Sequence, residues 1–377
     1  MKTFKQTWKA LVLLLSFALL LVGCDFESTT GPAHTVELEE ILGDGRLPEG
    51  IAFEIKFLLC PEQTIDENGN LRWEVIELFN NALPWVSGEG NPATSGHVVN
   101  RDVVQHHLDT RHRDLFSAGW ITRIRHLVRT NVLDVTYRKR IPIVSGTRLT
   151  EADVQRVVLQ AKRENIHDWA WDSPDGSVEF DWSYNSAVLT VSWRIDLSGA
   201  AFTNAMNNSP YSTLVGAREL LRSQFPFGST DFNLTNPNTN RVDFEEWFFD
   251  KIDNDVILHG PAFIRRHRTR GTISAADSLR LFGVEKQQRV DFDIEVLPLR
   301  CGSFLVEVSS SSEIYPDPVP SGVNRTNTWE SFDQVAALRQ FMHDFVLEAG
   351  ILVPETGLRT TTILNTMGQT PPREPQD

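Results

Sequence analysis

The sequence predicts an α+β fold built on a mainly antiparallel sheet, and three observations predict it. Apolar and polar residues alternate with period two over many short segments. The helical segments are few and never fall in strict strand-helix-strand order. The polar strand positions are often charged, as expected where one strand face is buried and the other wetter, whereas parallel strands buried on both faces read as continuous apolar runs.

In chain order, Lys2, Lys5 and Lys9 precede an uncharged run from Ala10 to Gly23, a basic flank and apolar stretch of signal-peptide length (residues 1–23). At 14 residues the run is too short for an ordinary membrane span. It ends in Leu21-Val22-Gly23-Cys24, which resembles the bacterial lipobox, so Cys24 is the expected lipidation site. The partner implied there is a membrane held through a lipid anchor, and the compartment is the bacterial cell envelope. Residues 24–50 are rich in Gly, Pro, Thr and acids and read as a flexible tether.

A folded domain is expected over 51–350. Its strands begin with Phe53, Ile55 and Phe57 alternating with Glu54 and Lys56. They continue at Trp120 to His126, Leu133 to Ile141, Val178 to Trp182, Ala187 to Ile195, Pro261 to Thr272, Val290 to Leu297 and Phe304 to Ser309. Helices are expected after the Thr150/Asp153 capping pair, from Tyr211 to Phe225, and from Ser331 to Ala349 with Gly350 at its end. Residues 351–377 lose apolar periodicity and read as a C-terminal tail.

Composition narrows function by exclusion. A chain that is 41% hydrophobic and 23% charged is not disordered over most of its length. With Lys+Arg 36 against Asp+Glu 50, it is not a protein whose whole surface grips nucleic acid, and no nucleic-acid partner is expected. Loss of the leader with its three lysines makes the mature chain still more acidic. No P-loop, His-Glu-x-x-His helix, Cys-x-x-Cys pair or Gly-x-Ser-x-Gly elbow occurs. His106, His107 and His112 lack zinc-site spacing and read as solvated side chains flanking a turn. For Cys60 and Cys301, a disulfide and two buried free thiols are both open readings.

The charged strand positions remain. Arg123 and Arg125, Arg138 and Arg140, and Arg266, Arg268 and Arg270 place cations on alternate positions of three strands. Like charges in contact repel by about 1 kcal/mol per pair in water and more as the site dries, so they call for acids or a bound anion between them. Glu54, Asp181, Asp293 and Glu307 on other strands are potential partners. If the sheet closes, these positions line the lumen of a barrel whose apolar outside is covered by helices; if it stays open, they meet water.

One tract goes further. Asp109-Thr110, Leu115-Phe116, Ala118-Gly119 and Arg123-x-Arg125 follow one another at the spacings of the CYTH, or triphosphate tunnel, family, which this stretch closely resembles. The flanks agree in order. Phe53 to Phe57 resembles the second half of that family's opening Glu-x-Glu-x-Lys strand, Val135 to Arg138 its Leu-Thr-Leu-Lys strand, and Cys301 to Val308 its late acidic strand. The similarity is patchy over 142–259, which reads as an insertion.

The resemblance implies a closed antiparallel β-barrel, or tunnel, of about eight strands with flanking helices. It implies that Lys56, Arg123, Arg125 and Arg138, with Arg140 and Arg268, contact phosphates of a triphosphate or polyphosphate-type anion. It also implies that Glu54 and Glu307 hold Mg²⁺ or Mn²⁺, since guanidinium forks match phosphate and hard divalent ions take carboxylates. Two departures bear on catalysis: Ala52 stands where the family has the first glutamate, and Ser309 where it has the second late acid. Two readings follow, a metal-dependent triphosphatase and a non-catalytic envelope binding or structural lipoprotein that keeps the fold.

Overall fold

The computed structural model describes residues 51–86, 103–143, 149–163, 176–208, 210–225, 244–254, 256–299, 302–315 and 328–354. The leader, Cys24, the tether, Cys301 and residues 355–377 lie outside the described residues.

The alternating segments form ten strands: β1 (Ile51–Leu59), β2 (Val103–Thr110), β3 (Trp120–Leu127), β4 (Val132–Ile143), β5 (Gly176–Trp182), β6 (Ala187–Leu197), β7 (Val256–Ile273), β8 (Gln288–Pro298), β9 (Phe304–Ile314) and β10 (Thr328–Trp329). They pair in the order β1-β5-β6-β4-β3-β2-β7-β8-β9, and β9 returns to β1 in antiparallel register from Ile51 opposite Ile314 to Leu59 opposite Val306. The sheet is therefore a closed barrel of nine strands, with β10 lying parallel along the end of β9.

Two expectations change. The ninth strand is β2, which does not alternate because His106, His107, Leu108 and Asp109 are buried on both of its faces. An odd number of strands cannot close with every neighbour antiparallel, and the exception is β1 against β5, which run parallel with Glu54 beside Asp181. The stretch 142–259 supplies β5 and β6 to the wall, at the alternating segments expected there.

Nine helices are described: α1 (Pro61–Thr64), α2 (Trp73–Asn80), α3 (Asp114–Ser117), α4 (Glu151–Arg163), α5 (Gly199–Asn208), α6 (Leu214–Ser223), α7 (Phe244–Asn254), α8 (Ala275–Phe282) and α9 (Phe332–Glu348). The expected capping pair opens α4: Thr150 N–H donates to Asp153, and Asp153 N–H donates to the Thr150 hydroxyl. Helix α9 covers the outward face of β1 and β5. Phe53 stacks on Phe180 at 5.2 Å, Trp182 on Phe332 at 5.6 Å, and the Arg339 guanidinium lies over Phe57 and Trp182. Each buried aromatic contributes roughly 1.5–3 kcal/mol. Beyond α9, Gly350 turns the chain with a φ of +71°. Cys60 N–H donates to the Ile351 carbonyl and Val353 N–H to that of Leu58, so the expected tail begins by docking on β1. The Cys60 thiol itself is free and donates to Glu62.

Inside the barrel, apolar and charged sectors separate. Val103, Ala262, Ile264 and Leu297, with Leu127, Leu299 and Leu305 against them, form a second apolar cluster on β2, β3, β7, β8 and β9. These residues share the strand parity of Arg125, Arg266, Glu295 and Glu307. Charged residues surround Lys56 on β1, β3, β4, β5 and β6 and also form paired rows on β7 and β8. Among the described residues, no helix is long and apolar enough to cross a membrane.

Candidate functional site

The site is assembled by the turn between β2 and β3. Asp109, buried at the end of β2, accepts from the N–H groups of Thr110, Leu115 and Phe116, tying down the first turn of α3. Burial raises its carboxyl to about 6, against these three hydrogen bonds, which favour the charged form. Thr110 and Asp114 bond reciprocally at 2.9 Å, and Leu115 is fully buried. Gly119 follows with a φ of +78°, and a Cβ there would lie 2.7 Å from the Arg140 carbonyl. This tract is thus a structural corner, and it aims Arg123 and Arg125 of β3 into the lumen.

Cross-strand register then decides which cations are already paired. Arg125 faces Asp134 of β4, which is fully buried. Arg125 Nε donates to it at 3.0 Å, Arg194 Nε of β6 lies 3.1 Å from the same oxygen, and Thr136 donates to the other. Burial alone would raise Asp134, but Arg125, Arg123 and Arg194 hold it well below the usual carboxylate range. Arg123 faces His107 and Thr136 and donates to the Thr136 hydroxyl at 3.3 Å. Arg138 faces Ile121 and Ser192, and Arg140 faces Thr190. Neither forms a salt bridge with a described residue, and the Arg138 Nε is buried without a hydrogen-bond partner among them.

These side chains surround a cavity of about 230 Å³ in the charged sector. Its cations are Lys56, Arg123, Arg125, Arg138, Arg140, Arg194 and Arg266; its acids are Glu54, Glu179 and Asp181; Ile121 is its one apolar lining residue. Oxygens of the three acids lie within 4.8 Å of one another. Lys56 Nζ sits among them, 2.5 Å from Glu54 and 2.5 Å from Asp181, while Thr190 donates to the other Asp181 oxygen at 2.8 Å.

Burial would lower the Lys56 ammonium, but Asp181, Glu54, Glu307 and Glu179 reverse this and hold it above its ordinary range. Burial, reinforced by the charges of Glu54 and Asp181, pushes Glu179 well above the usual carboxylate range. Burial acts upward on Glu54 too, but Lys56, the hydrogen bond from Glu179 and the charge of Arg138 hold it well below. Three carboxylates suit a hard divalent ion in number and kind, with the Lys56 ammonium as their present counter-charge.

No family model matches the chain, and no curated protein does. Solved structures do. A putative adenylyl cyclase from Hippeastrum, described as having a dominant triphosphatase activity, is similar at 12% identity and a TM-score of 0.39, over 83% of this chain and 94% of that one. A putative adenylate cyclase from Bacillus halodurans is similar at 11% identity and a TM-score of 0.34, over 84% and 98%.

Most of the expected site residues come together. Glu54, Lys56, Arg123, Arg125, Arg138 and Arg140 all line the one cavity. Arg268 does not: it forms a fork on Asp293 at 2.7 and 2.5 Å, the middle rung of a ladder with Arg266 on Glu295 and Arg270 on Asp291. Glu307 is buried on β9 beside Glu295 of β8, outside the three-carboxylate cluster, and burial raises it to about 7. The acid that joins Glu54 and Asp181 is instead Glu179, directly beside Ala52 in the β1–β5 register. Ser309 is buried opposite Lys56 and Asp293. His106 and His107 are buried rather than solvated, His106 against Tyr211 and His107 against Gln105; only His112 is exposed.

Proposed function

We propose that the barrel binds a phosphate-rich anion of the tripolyphosphate or polyphosphate type, and that with Mg²⁺ or Mn²⁺ it hydrolyses the terminal phosphoryl group. The observation that carries this reading is the pair Arg138 and Arg140, which line the polar cavity without a salt bridge to a described residue, while Glu179, Asp181 and Glu54 act on Arg138 only from farther off. Guanidinium groups in such a place lower their energy most by taking anionic oxygens. Arg123 would extend the contact, while Arg125 and Arg194, tied to Asp134, would supply longer-range positive potential. The near-absence of apolar lining favours an inorganic chain over a nucleoside end.

Glu54, Glu179 and Asp181 would hold the divalent ion, which when bound supplies Lewis-acid polarisation of a phosphoryl oxygen and an activated water. This chain's own part is to neutralise charge on the phosphoryl oxygens through Arg138, Arg140 and Arg123, held in place before the reaction begins. Residues 1–24 support the further proposal that the domain works at a membrane surface of the bacterial envelope, tethered through Cys24.

The second reading, binding without turnover, is favoured by Ala52, Ser309 and the seating of Lys56 among the carboxylates. Phosphate release from tripolyphosphate separates the two. Hydrolysis predicts release that requires Mg²⁺ or Mn²⁺ and is lost in E54Q. Binding alone predicts no release with any divalent ion, together with a thermal midpoint raised by tripolyphosphate.

A further inference from the structure

The Lys56 ammonium stands where a metal ion would. It is 2.5 Å from oxygens of both Glu54 and Asp181, and these are two of the three carboxylates close enough together to hold a divalent cation. A divalent ion and the ammonium therefore compete for the same oxygens. In the same cavity, Arg138 and Arg140 form no salt bridge with a described residue, and the buried Arg138 Nε has no hydrogen-bond partner among them. A polyanion drawn to these arginines brings negative oxygens into the cavity that Lys56 also lines. The lysine stem is flexible enough to follow them. Asp181 keeps the Thr190 hydroxyl on its other oxygen at 2.8 Å, so its carboxylate stays oriented when the ammonium leaves.

We infer that Lys56 gates the divalent-cation site. Without an anion its ammonium fills the carboxylate cluster; when a polyanion occupies the arginines, Lys56 swings to the phosphate oxygens and frees Glu54 and Asp181 for the metal. Metal affinity is then conditional on the anion, and a metal-first order of binding is disfavoured. The gate rests on the anion-binding reading above, but its central comparison uses metal alone.

The test titrates Mn²⁺ alone into the full chain, following free Mn²⁺ by electron paramagnetic resonance, for the wild type, K56M, K56Q and K56R. The gate predicts that K56M and K56Q bind Mn²⁺ at least tenfold more tightly than the wild type, and that K56R, which keeps a cation in place, does not. Equal Mn²⁺ affinity in wild type and either folded neutral variant overturns the gate. A second measurement needs no neutral variant to fold. The Lys56 Nζ resonance in ¹⁵N-lysine-labelled wild type, assigned by its loss in K56R, shifts when tripolyphosphate is added with chelator present. An unmoved resonance while calorimetry shows the anion bound overturns the gate alone; no calorimetric binding of tripolyphosphate overturns the reading beneath it and the gate together.

Discussion

Replacing Asp134 by Asn perturbs the most heavily used carboxylate in the lumen without changing its shape. The wild-type carboxylate is fully buried and takes Arg125 on two nitrogens, Arg194 at 3.1 Å and the Thr136 hydroxyl. Removing one partner of a buried pair costs about 3–5 kcal/mol, because the remaining charge is left uncompensated. Arg194 is 45% exposed, so water screens its share and the lower end, about 3 kcal/mol, applies. For a domain of this size that is a fall of roughly 6 °C in thermal midpoint at pH 7, read by circular dichroism.

The sign of the pH dependence follows from the depressed carboxyl. Its contribution is complete above the unfolded value near 4 and is lost as pH falls through and below that value, so the gap between wild type and D134N narrows in acid. The substitution also frees Arg125, so tripolyphosphate should raise the midpoint of D134N by more than that of wild type. A D134N midpoint within about 1 °C of wild type at pH 7, or a gap that widens in acid, would refute the reasoning.

Three further outcomes are expected. G119A puts a Cβ 2.7 Å from the Arg140 carbonyl at a φ of +78°, so its urea midpoint should fall by an amount worth about 1–3 kcal/mol. R268A removes a cation already held by Asp293 and should leave tripolyphosphate affinity within about twofold, whereas R138A should weaken it by about tenfold or more on calorimetric titration. Glu307, raised by burial to about 7, favours the fold in its protonated form, so that stability is present at acid pH and lost as pH rises through about 7. E307Q should flatten the stability profile between about pH 5 and 8 in urea titrations, and an unchanged slope would count against the burial of that carboxyl.

How much of this was legible in the sequence depended on whether the signal lay within one strand or between two. Phe53, Glu54, Ile55, Lys56 and Phe57 announce β1 and its inward residues by alternation alone. Strand β2 carries no such signal, because His106 meets Tyr211 outside and His107 meets Gln105 inside. Arg138, Arg140 and Arg268 look alike in sequence and differ only in what lies across from them. Strand β8 sets Asp291, Asp293 and Glu295 at the same two-residue spacing as Arg266, Arg268 and Arg270 of β7, and that complementarity was a readable hint of a self-neutralised ladder. Strand β6 sets Thr190 and Ser192 against Arg140 and Arg138, and so puts no acid directly across from them. Glu179 could not be joined to Glu54 by inspection, since they meet only through the parallel β1–β5 contact.

The central claim is that Arg138 and Arg140 form an anion site inside this barrel. Calorimetric titration of tripolyphosphate into the full chain, with chelator present, tests it most directly in the wild type and the R138A/R140A double variant. The account predicts a saturable site that weakens as salt is raised and an affinity at least about a hundredfold lower in the folded double variant. No binding by the wild type, or equal affinity in both proteins, would contradict it.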